Sequence, residues 1–177
     1  MSFALWLLGY PDQALKRVQE ALTLAQGLSH PFSLAFALTS GSFLRQFRRE
    51  VQAAMDWTEA VMALANEQGF QLWLAWGTIL REWELSEQGQ GDEGIEQMRQ
   101  GLVTSRAMEI ELNRPYFLTL LAEVCGKVGQ TEEGLNMLAE ALDTANKTEE
   151  RWYEAELYHL KGDLILQSRV QSLESIV

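Results

Sequence analysis

Six residues, Gly89-Gln90-Gly91-Asp92-Glu93-Gly94, spell the G-x-G-x-x-G pattern that cradles phosphates in dinucleotide-binding proteins. That chemistry needs a preceding strand and a helix N-terminus free of competing charge. Here a helical pattern precedes the glycines, and Asp92 and Glu93 would repel a phosphate, so the match reads as accidental. The two histidines, His30 and His159, lie far apart in the chain, and neither is read as a metal ligand. His30 precedes a proline and reads as a solvated loop residue, whereas His159 could sense pH or bind a carboxylate. Glu82 and Glu84 fall on opposite sides of a helix and form no general acid/base pair. Arg45, Arg48 and Arg49 make the one dense basic run, which reads as a solvated helix end whose cations suit the dipole. Cys125, the single cysteine, excludes an intramolecular disulfide and reads as core within an apolar helix. No Ser-His-Asp or Cys-His arrangement is visible, so no catalytic constellation, metal site or cofactor site is expected.

The elements that carry these residues follow a repeat. Gly9–Ala25, Arg49–Ala65, Gly89–Ser105 and Gly129–Ala145 align at a fixed period of 40 residues, without insertions. Read down the copies, Ala14, Ala54, Gly94 and Gly134 are small, and eleven residues on so are Ala25, Ala65, Ser105 and Ala145. Eleven residues is about three helical turns, so both small columns share a face where a neighbouring helix can approach closely. Large apolar columns lie between them: Leu15, Met55, Ile95 and Leu135, then Leu22, Met62, Leu102 and Leu142. Acidic residues gather at the starts, as at Asp12, Asp92 and Glu132, where they complement the helix dipole. A fixed period of this length is the mark of a solenoid.

Gly9-Ala14-Leu15-Ala21-Leu22 and Gly129-Gly134-Leu135-Ala141-Leu142 resemble the second helix of a tetratricopeptide repeat. Leu121-Ala122 and Cys125 fill the places of its first helix before Gly129. The period departs from the family's usual length of about 34 residues, Arg49 replaces the glycine of the second copy, and Arg81-Glu82 replaces a Leu-small pair. In wording, GYPDQAL, LWLAWG, GKVGQTEEGL and RWYEAELYHLKGDLIL are similar to the helical-repeat region of large bacterial signalling ATPases, many of which carry a nucleotide cyclase domain. The resemblance implies an all-α, right-handed solenoid of antiparallel helix pairs with a concave inner surface, incomplete at both ends. The repeat domain is expected over residues 1–167, and residues 168–177, SRVQSLESIV, which lack the periodic pattern, are expected to be a disordered tail.

The expected helices cover about 1–9, 10–28, 31–47, 50–68, 71–88, 91–110, 115–128, 131–146 and 152–167. Gly69 should close the fourth as a C-terminal cap. MSFALWLLGY reads as the end of a helix whose beginning is missing, with neither a signal peptide nor a membrane span.

If first helices line a concave groove, the columns expected there are Phe36, Trp76 and Tyr116, then Thr39, Ile79, Thr119 and His159, with Phe43, Trp83 and Glu123 nearby. Such an aromatic stripe could grip a peptide or helix. The competing reading is that aromatics at helical spacing are core. The formal charge of −11 argues against nucleic acid, which needs clustered Lys and Arg, and favours a protein partner with basic flanks. Self-association through uncapped terminal helices is a further expectation, and a reducing, cytoplasmic setting is compatible. The function expected is a non-catalytic interaction module of a signalling protein. The alternative is a small-molecule sensor enclosing an apolar effector around Trp73, Trp76 and Trp83.

Overall fold

The computed structural model describes residues 2–91 and 93–174, and the described residues form helices and turns without a strand. In order the helices are α1 (Ser2–Leu7), α2 (Pro11–Gly27), α3 (Pro31–Phe47), α4 (Val51–Gln68), α5 (Gln71–Glu87), α6 (Gly94–Ala107), α7 (Arg114–Lys127), α8 (Thr131–Thr148) and α9 (Glu154–Glu174). Pro11, Pro31 and Pro115 each stand in a first turn, where a fixed φ helps and the missing N–H costs nothing.

The helix ends share one device. Backbone φ is positive at Gly9, Ser29, Arg49, Gly69, Gly89, Glu109, Gly129 and Glu149, each twenty residues after the last. The next residue then reaches back five positions: Tyr10 N–H to Leu5 O, Glu50 to Arg45, Phe70 to Ala65, Gln90 to Leu85, Ile110 to Ser105 and Gln130 to Cys125. A left-handed residue followed by this bond satisfies the last carbonyls of a helix and turns the chain sharply. Gly69 is the expected cap of α4.

The chain divides into two compact units, with the break at Glu84–Leu85 inside α5. In the first, α3 packs against α2 and α4, and α1 rests on α2 and α3. Its core includes Ala14, Val18 and Leu44, with Phe3, Trp6, Phe47 and Trp57 packed around them. In the second, α7 packs against α6, α8 and α9. α7 is buried almost all round, from Tyr116 and Phe117 to Val124 and Cys125, as befits a helix whose apolar residues do not keep to one stripe.

Both small columns are buried at every copy, Ala14, Ala54 and Ala145 at no more than 1 % exposure. At Gly134 an added Cβ would lie 3.0 Å from Ala122 O, so α8 crosses α7 at backbone contact distance. The large columns are less uniform: Ile95, Leu22 and Leu102 are buried, but Leu15, Met55, Met62, Leu135 and Leu142 are half-buried. A position buried in every copy lies instead four residues past the first small one, at Val18, Thr58, Met98 and Leu138, all 2 % exposed or less.

The segment from Ser168, expected to be disordered, continues α9 as helix to Glu174. Its amides explain why. Gln167 Nε2 donates to Gly126 O at 2.8 Å, and Thr131 Oγ1 donates to Gln171 Oε1 at 2.9 Å, tying α9 to the turn between α7 and α8. Residues 175–177 lie outside the described residues.

Candidate functional site

The C-terminal half of α2 and the first turns of α3 meet at the turn Leu28-Ser29-His30. His30 is exposed, yet not idle: its Nδ1 accepts from the Ser33 backbone N–H at 3.2 Å and lies 2.9 Å from Ser33 Oγ, capping α3. The expectation of a merely solvated histidine missed this cap, which the sequence His-Pro-x-Ser suggests only once Pro31 is known to open a helix.

This capped turn carries a row of large apolar side chains facing water. Leu24, Leu28, Phe32 and Phe36, four residues apart, are 64, 65, 52 and 59 % exposed. With Ala21, Ala25, Ser33 and Ala37 they line an apolar groove of about 280 Å³. Behind the groove stands an aromatic stack: Phe32 meets Phe70 and Trp73 edge-on at 5.8 and 5.5 Å, Phe36 meets Trp73 at 6.1 Å, and Trp73 meets Trp76 at 5.4 Å. The two exposed phenylalanines therefore stand on an aromatic floor. Trp73 is buried, and its indole N–H has no hydrogen-bond partner in the protein.

Of the residues expected to line a binding groove within the first unit, Phe36 alone is exposed. Phe43, Trp76, Ile79 and Trp83 are at most 4 % exposed and are core. Thr39 is buried too, its hydroxyl donating to Ala35 O at 2.9 Å, so no polar handle points outward. The reason is rotational phase: four residues past Phe36 and beyond, α3 turns its aromatics onto α1 and α5, with Phe43 against Phe3 and Trp76. In the second unit Tyr116 is buried among Phe117, Trp152 and Tyr153, and the Thr119 hydroxyl donates to Pro115 O. Glu123 is half-buried and lies 3.3 Å from Lys127 Nζ. His159 is exposed, 3.7 Å from Glu156 and 3.8 Å from Asp163, carboxylates one turn to either side. Apart from Phe36 and His159, these columns are thus buried or half-buried, and the Arg49 guanidinium lies over the Trp83 ring at 5.4 Å.

The remaining chemistry-bearing residues resolve as follows. Gly89 is a left-handed helix end, and a Cβ at Gly91 would meet Val128 at 3.1 Å, so these glycines serve a turn and a close approach; Asp92 lies outside the described residues. The basic run is not simply solvated. Arg48 donates to Glu50 at 2.6 Å and to Asp12 at 3.0 Å, Arg45 donates to Glu50 at 3.2 Å, and Arg45 also sits over Trp57 at 5.0 Å. Glu50 and then Asp12 hold the Arg48 pKa above its ordinary value. Cys125 is buried, and burial pushes its thiol up. Among the described residues no group of three or more His, Cys, Asp or Glu is placed to hold a metal ion, and no helix is long and apolar enough to cross a membrane.

The chain matches no protein-family model and no curated protein. The groove must therefore be read from its own chemistry.

Proposed function

We infer that this chain is a non-catalytic interaction module built on a 40-residue, tetratricopeptide-like helical repeat, a right-handed solenoid of antiparallel helix pairs. Left-handed residues at every twentieth position support that repeat, since each pair of helices then ends in the same two turns. The resemblance in wording to the helical regions of bacterial signalling ATPases supports a place in a cytoplasmic signalling protein.

The observation that carries the interaction reading is the exposed row Leu24, Leu28, Phe32 and Phe36 over a groove of about 280 Å³. Four large side chains left in water beside a groove are unfavourable for an isolated chain and suit an apolar anchor from a partner. The partner proposed is an amphipathic peptide or helix whose apolar residues enter the groove and whose basic flanks answer the net charge of −11. A second copy of the chain meeting the exposed Tyr158, Leu166, Val170 and Leu173 of α9 is the further partner proposed.

Titrating the protein with amphipathic peptides bearing lysine flanks tests the reading through tryptophan fluorescence, because Trp73 lies directly beneath Phe32 and Phe36. Binding that is lost in Leu28→Glu supports the groove. Equal binding by the wild type and Leu28→Glu, or no binding by any apolar basic peptide, overturns it. Sedimentation of the chain across a concentration series tests the second copy, and a monomer throughout removes it.

A further inference from the structure

Glu84 occupies a position that the repeat otherwise fills with hydrocarbon. At the same register stand Leu44, Val124 and Leu164, and all four side chains are 2 % exposed or less. The residue facing it, Thr58, sits in the column of Val18, Met98 and Leu138, which is buried in every copy. In the first unit Val18 packs with Leu44 in one apolar cluster; forty residues on, the corresponding pair is Thr58 and Glu84, whose hydroxyl donates to Oε1 at 2.7 Å. The second carboxyl oxygen, Oε2, is buried with no hydrogen-bond partner in the protein. A carboxylate so placed would leave one charged oxygen buried without a partner, whereas a protonated carboxyl is neutral there.

We propose that the Thr58–Glu84 pair is a proton-operated latch between α4 and α5: the neutral acid lets the two helices pack, and loss of its proton to water loosens them.

The charges around it act in the same sense. Asp56 and Glu59 of α4 oppose ionisation of Glu84, and Arg81 of α5 favours it less than burial disfavours it. Burial lifts the carboxyl to about 8, with the Thr58 hydrogen bond partly offsetting. Glu82, also on α5, is raised by burial as well, with Arg81 pulling the other way. The folded chain thus holds a proton that the unfolded chain releases near the ordinary value of 4.5. The packing contribution of this group is complete below that value and is lost as pH rises through the folded one. Between them one proton is bound to the folded state alone, so the folding constant falls about tenfold per pH unit.

Urea unfolding of the full chain between pH 5 and 9, followed by tryptophan fluorescence, reads this slope. Glu84→Gln should remove most of it, Glu82→Gln should leave most of it, and the double change Thr58→Val with Glu84→Leu, which restores the Val18–Leu44 type of pair, should fold with the slope gone. An unchanged slope in Glu84→Gln overturns the latch. If that variant fails to fold, the carboxyl carbon resonance of Glu84 in the wild-type chain decides: titration well above the ordinary carboxyl range supports the proposal, and titration alongside the surface glutamates overturns it.

Discussion

Replacing Gly41 by alanine should destabilise the chain, although alanine is the better helix former. Gly41 lies inside α3, and a Cβ built on it falls 1.9 Å from Cε3 and 2.0 Å from Cζ3 of Trp57 on α4. Carbon atoms rest at about 3.5–4.0 Å, so the indole would have to withdraw by well over an ångström. Withdrawal also takes Trp57 out from under the Arg45 guanidinium, now 5.0 Å from its centroid. Overpacking of a core contact costs about 1–3 kcal/mol, and this overlap belongs at the upper end. The intrinsic gain from glycine to alanine in a helix is about 1 kcal/mol. The net expectation is a loss of about 2 kcal/mol. Gly162, inside α9, supplies the control because a Cβ there meets nothing within 4 Å. Gly162→Ala should therefore show the propensity gain alone, about 0.5–1 kcal/mol of added stability. Gly77→Ala falls between, since its Cβ would meet the flexible Met62 side chain at 2.5 Å from Cγ. Urea midpoints of the three variants, read by circular dichroism at 222 nm, give the ranking. A Gly41→Ala variant as stable as Gly162→Ala would refute the close approach of α3 and α4.

Other outcomes follow from the same packing. Trp76→Ala, in the core, should cost about 3–5 kcal/mol, whereas Phe36→Ala, more than half exposed, should cost less than about 1 kcal/mol; similar losses in urea unfolding would erase the distinction between core and groove. Glu109→Gly, at an exposed left-handed position, should stabilise by up to about 1 kcal/mol, and destabilisation on thermal melting would count against the turn geometry. His30→Ala should cost about 0.5–1 kcal/mol through loss of the α3 cap, a loss absent if the imidazole were only solvated. The Cys125 thiol, buried and raised, should resist iodoacetamide at pH 8 until urea unfolds the chain; prompt alkylation of the folded chain would contradict its burial.

Much of the architecture was legible because its signals are local. Proline opens α2, α3 and α7, and the small residues of the second helices mark close approaches wherever the chain repeats them. Less legible was the depth of each column. The columns of Leu15 and Leu22 looked like the core positions, yet Val18, Thr58, Met98 and Leu138 lie deeper. The α9 extension was illegible for a different reason. Its glutamines are polar and aperiodic, and they are held by carbonyls and hydroxyls some forty residues away.

For the candidate site the division is physical. The 40-residue spacing of the sequence puts Phe36 and Trp76 in one column. Equivalence does not say which way a column faces. Trp76 is buried while Phe36 is 59 % exposed, because each packs against whatever neighbour the fold supplies, and Phe36 keeps one edge on Trp73 and the other in water. Likewise the exposed row from Leu24 to Phe36 crosses a helix boundary, so no helical periodicity could reveal it. The Thr58–Glu84 contact joins residues 26 apart on two helices. The spelling of the chain determined its helices and its small-residue contacts, both matters of backbone preference and spacing. Only the tertiary packing decided which apolar residues stay in water and which acid is taken out of it, since burial belongs to the neighbours a side chain finds and not to its place in the sequence.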